Sequence, residues 1–196
     1  MTIHRTMLGA LLGLTTALSA IPAQAEVLAF RATLDGKYGA DATGSEATGT
    51  ARIRVDTERR RVSVDLTVDG ITTEALWDKL VAAPIGPVHL HKYATAEGGA
   101  SVLVLPLPYG DDYRATGRGM HVVKSDLDYA AGAKLVNSAL PFEEFVSAMR
   151  SGLVVLNVHT DAFNPGEISG VVTEAGAAGP APAPPPKAGG AHNHGG

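Results

Sequence analysis

His89 and His91 stand two residues apart in "GPVHLHKYATAEGG" (86–99). In an extended strand, residues at that spacing point to the same face, with Cα atoms about 6.5–7 Å apart. Two imidazoles so placed can converge on one metal ion, which needs ring nitrogens about 2 Å from it. A third ring, His159, lies in "VLNVHT", and Asn157 shares its face. If the strands at 87–93 and 153–160 are neighbours, His89, His91 and His159 meet. Asn157 is then an outer partner, orienting a ring through its other nitrogen as metal sites require. His121, in "GMHVV", is a further candidate, as are His192 and His194 in the terminal "HNH".

The chain has no cysteine. That excludes thiolate ligands, and with them blue-copper, iron–sulfur and Cys-type zinc sites. Imidazoles alone suit copper, with zinc as the alternative, and copper binds more strongly in the divalent series. Three histidines without a carboxylate fit a planar or T-shaped copper arrangement, or tetrahedral zinc with a water. The same pattern also fits rings that are hydrogen-bonded at a sheet edge and bind nothing, so a chain without cofactor stays open. No G-x-S-x-G, H-E-x-x-H or phosphate-loop motif is present. The acids are scattered over expected loops and helix starts. Asp161 and Glu167 flank the turn after His159, and the reading favours a solubilising role over a positioning one. A binding protein is therefore favoured over an enzyme.

The elements that must position these rings read as strands. "EVLAFRATLDG" (26–36) puts Leu28, Phe30 and Ala32 on one face and Val27, Ala29 and Arg31 on the other. "TARIRVDTERRRVSVDLTVDG" (50–70) is a hairpin turning at Asp56–Arg60, with strict alternation on both arms. Such alternation implies one buried and one wet face, hence an antiparallel sheet. Strands follow at 87–93, 101–107, 153–160 and 168–174. The 153–160 strand is apolar on both faces, so it is central. Residues 72–80 predict a short helix, and 108–124 a long polar loop. "LPFEEFVSAMRSG" (140–152) predicts a helix, with Phe142, Phe145, Val146 and Met149 as its apolar stripe and Gly152 as its stop. Seven or so short strands with turns at regular intervals predict an all-β antiparallel β-sandwich or Greek-key barrel, with one or two short helices in connections.

Both ends differ from this domain. Residues 1–25 predict a signal peptide: Arg5, an apolar Met7–Ile21 stretch, then Ala23-Gln24-Ala25 as a cleavage site. The mature chain is then expected to begin at Glu26, without a membrane span, and to be periplasmic or secreted. Residues 26–174 form the domain, and 175–196 a disordered Pro/Gly/His tail without a large apolar side chain. The formal charge of −4 makes nucleic acid and anionic membrane poor partners. A metal ion or a protein partner remains.

"GPVHLHKYATAEGGASVLVLPL" and the later "GLVVLNVHTDAFNPGEISGVV" together resemble the CHRD domain. That domain is named after chordin and is found widely in secreted bacterial proteins. The residues carrying the resemblance are His89, His91, Asn157, Val158, His159, Thr160, Gly166, Glu167, Ile168 and Gly170. Lys92 and Tyr93 follow the histidine pair where the family often has Gly or Pro, and Ser169 stands where it often has Arg. The resemblance implies an immunoglobulin-like or Cu,Zn-superoxide-dismutase-like sandwich, and no defined biochemical activity. "GPVHLH" is also similar to the copper-binding strand of Cu,Zn superoxide dismutase. The disulfide and the dense zinc loop of that enzyme are missing, so dismutation is not expected.

Overall fold

The computed structural model describes residues 26–38, 42–95 and 98–176. The expected signal peptide and nearly all of the expected tail, His192 and His194 included, lie outside the described residues.

The first three strands follow from alternation. β1 (Val27–Asp35), β2 (Thr48–Asp56) and β3 (Arg61–Asp69) each bury every second residue. They pair antiparallel along their full length, Phe30 opposite Ile53 and Ile53 opposite Val64. β4 (Val88–Thr95) and β5 (Gly98–Leu107) form the next hairpin. β6 (Tyr113–Ala115) and β7 (Gly119–Asp128) follow, then β8 (Val154–Val158), β9 (Ile168–Val171) and β10 (Thr173–Glu174). All pairings are antiparallel and join into one ten-stranded sheet in the order β5-β4-β8-β9-β1-β2-β3-β7-β6, with β10 beside β1. The neighbours β4–β8, β9–β1 and β3–β7 are distant in sequence, so the chain crosses over rather than meandering. The sheet curls into a half-barrel, and the inner faces of its strands share one hydrophobic cluster. The predicted all-β sandwich architecture is therefore observed.

Gly170 marks how tightly this closure is drawn. A side-chain carbon there would lie 2.1 Å from the Thr33 carbonyl oxygen, so only glycine lets β9 approach β1.

Three connections differ from expectation. Residues 108–124 are not a long loop, because they hold β6 and the first half of β7. The alternation there is masked by Lys124, an inward-facing residue among Met120 and Val122. Its ammonium reaches Asp112 at 2.6 Å and lies over the Tyr113 ring. The helix expected over 72–80 breaks into a 3-10 turn (Thr73–Ala75) and α1 (Asp78–Val81). Leu76 separates them because it drops into the core and bridges to Thr160. A helix absent from the sequence reading, α2 (Tyr129–Leu135), follows β7 and is capped by the Asp128 carboxylate, which accepts from the Ala131 N–H at 2.8 Å. Its Gly132 hid it, since glycine is a poor helix former. α3 (Phe142–Arg150) forms as predicted, burying Phe142, Phe145, Val146 and Met149.

β8 positions the site. It is buried on both faces and lies between β4 and β9. Leu156 and Val158 join the main core together with Val88 and Leu90 of β4. Val155 and Asn157 face the other way, as do His89 and His91 of β4.

Candidate metal centre

The register of β4 and β8 places His89 opposite Asn157 and His91 opposite Val155. His159 follows β8 directly, two residues beyond Asn157. The pairing supposed from sequence is therefore present, and three rings that are distant in the chain meet on one patch. Their centroids are 5.7 Å apart for His89 and His91, 4.7 Å for His89 and His159, and 6.2 Å for His91 and His159. Each ring offers a nitrogen, and the three nitrogens lie within 4.8 Å of one another. His89 and His159 are buried, and His91 is half-buried. Opposite His91 the β4–β5 pairing shifts by one residue, Leu90 facing Leu105 while His91 faces Leu103. That bulge adds twist where the third ring must turn toward the others.

Backbone carbonyls fix two of the tautomers. His89 Nε2 lies 2.7 Å from the Gly86 carbonyl oxygen, and His159 Nδ1 lies 2.7 Å from that of Asn164. A carbonyl only accepts, so each of these nitrogens carries a proton and donates it. The other nitrogen of each neutral ring is then a bare lone pair. Those two lone pairs, His89 Nδ1 and His159 Nε2, face each other at 3.1 Å. Two acceptors at that distance repel, and only a cation between them turns the contact favourable. Bonds of 2.0–2.1 Å from both nitrogens to one ion would subtend an angle of about 100°. That value lies between the square-planar and tetrahedral ideals. His91 Nε2 is buried and has no hydrogen-bond partner. Two donors on one ion are at most about 4.1 Å apart, so a modest swing of His91 completes the set.

A proton between the two lone pairs is disfavoured by the surroundings of the rings. Burial, and then the neighbouring His159 and His91, hold His89 far below its ordinary value, at about 3. Burial, then His159, lowers His91 to about 4. Burial lowers His159 as well, against the opposing pull of the Asn164 carbonyl. At neutral pH all three rings are uncharged and ready to ligate.

Two glycines make the arrangement possible. Gly86 has φ 71°, and a side chain there would strike the Leu107 carbonyl oxygen at 2.2 Å. Gly166 has φ 128° and lies against the Asn157 side chain. The 160–167 loop that carries the Asn164 carbonyl is tied down by Glu167. Its carboxylate accepts from the Ser45 and Thr160 hydroxyls, both at 2.7 Å, and its carbonyl accepts from the Thr43 hydroxyl at 2.8 Å. This corrects the solubilising role expected of Glu167, which is a positioning residue. Asp161 also has a structural partner, since its carboxylate lies 3.3 Å from the Asp78 N–H.

The other sequence candidates stand apart. His121 lies on β7, five strands along the sheet from β8, where it bonds to Asp65 at 2.8 Å. His192 and His194 lie outside the described residues. Asn157 is inside the patch, but the ring-orienting contacts are made by Gly86 and Asn164 instead. Sequence reading missed both carbonyls. The only signals for them were a glycine three residues before His89 and a tight turn five residues after His159.

Two outcomes follow. Glu167→Ala should lower unfolding stability by about 1–3 kcal/mol, since the buried Thr160 hydroxyl and the half-buried Ser45 hydroxyl lose their acceptor. It should also weaken metal binding by about tenfold through the released loop. Denaturant titration and a metal titration read these separately. The depressed histidines set a sign for pH. Unfolded rings take up protons below about pH 6.5, while the folded ones stay neutral down to about 4 or lower. The metal-free protein should therefore keep full stability above pH 6.5 and lose it as pH falls. The expected slope is about 1.4 kcal/mol per pH unit for each such ring. Chemical denaturation between pH 7 and 5 measures it, and His91→Gln should make the slope shallower.

The family model of the CHRD domain matches residues 30–172. No curated protein and no solved structure matches the chain. That match runs from Phe30 within β1 to the residue after β9 and takes in every ring of the cluster. The chain thus belongs to the CHRD domain family.

Proposed function

We propose that this CHRD domain is an exported copper-binding protein that buffers, delivers or confers resistance to the ion through His89, His91 and His159. The observation that carries the reading is the pair of facing lone pairs, fixed by Gly86 and Asn164 and completed by the unpartnered His91 nitrogen. Three neutral imidazoles with no thiolate or carboxylate favour copper over the harder divalent ions, and zinc ranks second. Export is supported by the signal-like pattern of residues 1–25. Among the described residues no helix is long and apolar enough to cross a membrane. His192 and His194 would recruit copper to the domain from the tail. A storage or delivery role fits better than catalysis because the patch is enclosed: His89, Asn157 and His159 are each no more than 6 % exposed.

Titrating the chain with Cu(II) and Zn(II) tests this. Copper should bind one to one with Kd well below about 10 µM, and more tightly than zinc. Replacing His89, His91 or His159 singly by Ala should cost at least about a hundredfold, by analogy with the losses seen for outer partners alone. At a free concentration one hundred times Kd, copper should raise stability by about 2.7 kcal/mol. Binding no tighter than 10 µM, together with thermal unfolding unmoved by copper or chelator, contradicts the proposal. That result favours a metal-free module that binds a protein through its loops.

A further inference from the structure

Asn157 is the one polar group of the patch whose purpose the ring geometry leaves unexplained. It is 6 % exposed, and its Oδ1 is buried without a hydrogen-bond partner. A buried, unpaired amide oxygen is costly, and native structures rarely keep one without a use. The register sets it opposite His89 and diagonal to His91, with His159 two residues along on the same face. Its nitrogen edge rests against Gly166 of the covering loop. The orphaned oxygen thus belongs to a side chain on the same face of the sheet as the three rings.

Three imidazoles leave at least one coordination position open on copper(II) or zinc(II). We infer that Asn157 Oδ1 accepts a hydrogen bond from an exchangeable water on that open position, making the site selective for a protic oxygen ligand. Two observations meet in this assignment: an orphaned acceptor inside the patch, and a donor set one ligand short. The amide oxygen has lone pairs only on the side it presents. An O–H donor on the metal satisfies it, whereas an aprotic anion such as azide would displace the donor and leave the acceptor bare. The cost of that bare acceptor is what discriminates between the two ligands. This inference rests on metal binding by the three histidines.

The experiment uses the chain loaded with one equivalent of Cu(II). Pulsed electron paramagnetic resonance in H2O and D2O reads exchangeable protons near the copper, and an azide titration reads ligand preference. Strongly coupled exchangeable protons are expected in the wild type, with weak azide binding. Asn157→Leu should bind azide at least about tenfold more tightly, because no acceptor is left unpaired. Loaded protein with no exchangeable proton coupling, or with the same azide affinity in the wild type and in Asn157→Leu, overturns the inference while leaving copper binding intact. Failure to load copper at all overturns the binding reading itself, and this inference with it. If Asn157→Leu does not fold, Asn157→Ala carries the same azide comparison against the wild type.

Discussion

Two ring nitrogens, each stripped of its proton by a backbone carbonyl behind it, are held 3.1 Å apart. That single repulsive contact is the constraint on which the functional half of the molecule depends. Left to themselves, the rings would flip or move apart, or one would take a proton. Gly86 and Asn164 prevent a change of tautomer, and burial opposes the proton. The strain at the patch persists because the loops around it are over-determined. Thr160, Asn164 and Gly166 bond within their own turn, and Glu167 ties that turn to Thr43 and Ser45 across the sheet. Trp77 donates to the His159 carbonyl at 3.1 Å, so the chain before α1 also clamps the third ring's backbone. Strain stored at one place and held by its surroundings is the usual signature of a functional site.

The sheet explains how such a patch can exist at little expense to the core. β8 is wrapped on both faces. Its inward residues serve the main hydrophobic cluster, and its outward residues make a second, small buried layer with β4. Polar rings placed in the main core would compete with apolar packing. Placed in the second layer, they are dry enough to hold lone pairs bare. The β4–β5 bulge beside His91 belongs to the same design, because it sets that ring's approach without disturbing Leu90 in the core.

Much of this was legible in the sequence, for a physical reason. Strand alternation with period two survives wherever one face is apolar, so the 50–70 hairpin, the two-faced strand at 153–160 and the shared face of His89 and His91 could be read directly. The helix at 142–150 was equally plain from its apolar stripe. Reading failed where a tertiary contact overrode local pattern. An inward Lys124 paired with Asp112 disguised β7 as loop, and Leu76 entering the core broke the helix expected at 72–80. Gly132 weakened the signal of α2, yet a side-chain carbon there would meet Leu105 at 2.4 Å. At the site, side chains were legible and backbone was not. No pattern of residue types announces that the carbonyls of Gly86 and Asn164 point at ring nitrogens, or that Glu167 reaches Ser45.

The central claim concerns where two protons sit, and histidine nitrogen-15 chemical shifts report that directly. In metal-free protein near neutral pH, long-range nitrogen–proton correlation spectra should show His89 protonated at Nε2 and His159 protonated at Nδ1, both rings neutral and of opposite tautomer. Adding one equivalent of a diamagnetic imidazole-binding ion, Zn(II), should then move the His89 Nδ1 and His159 Nε2 signals together. If either ring is cationic, or if the two share one tautomer, the lone pairs do not face each other and the account fails.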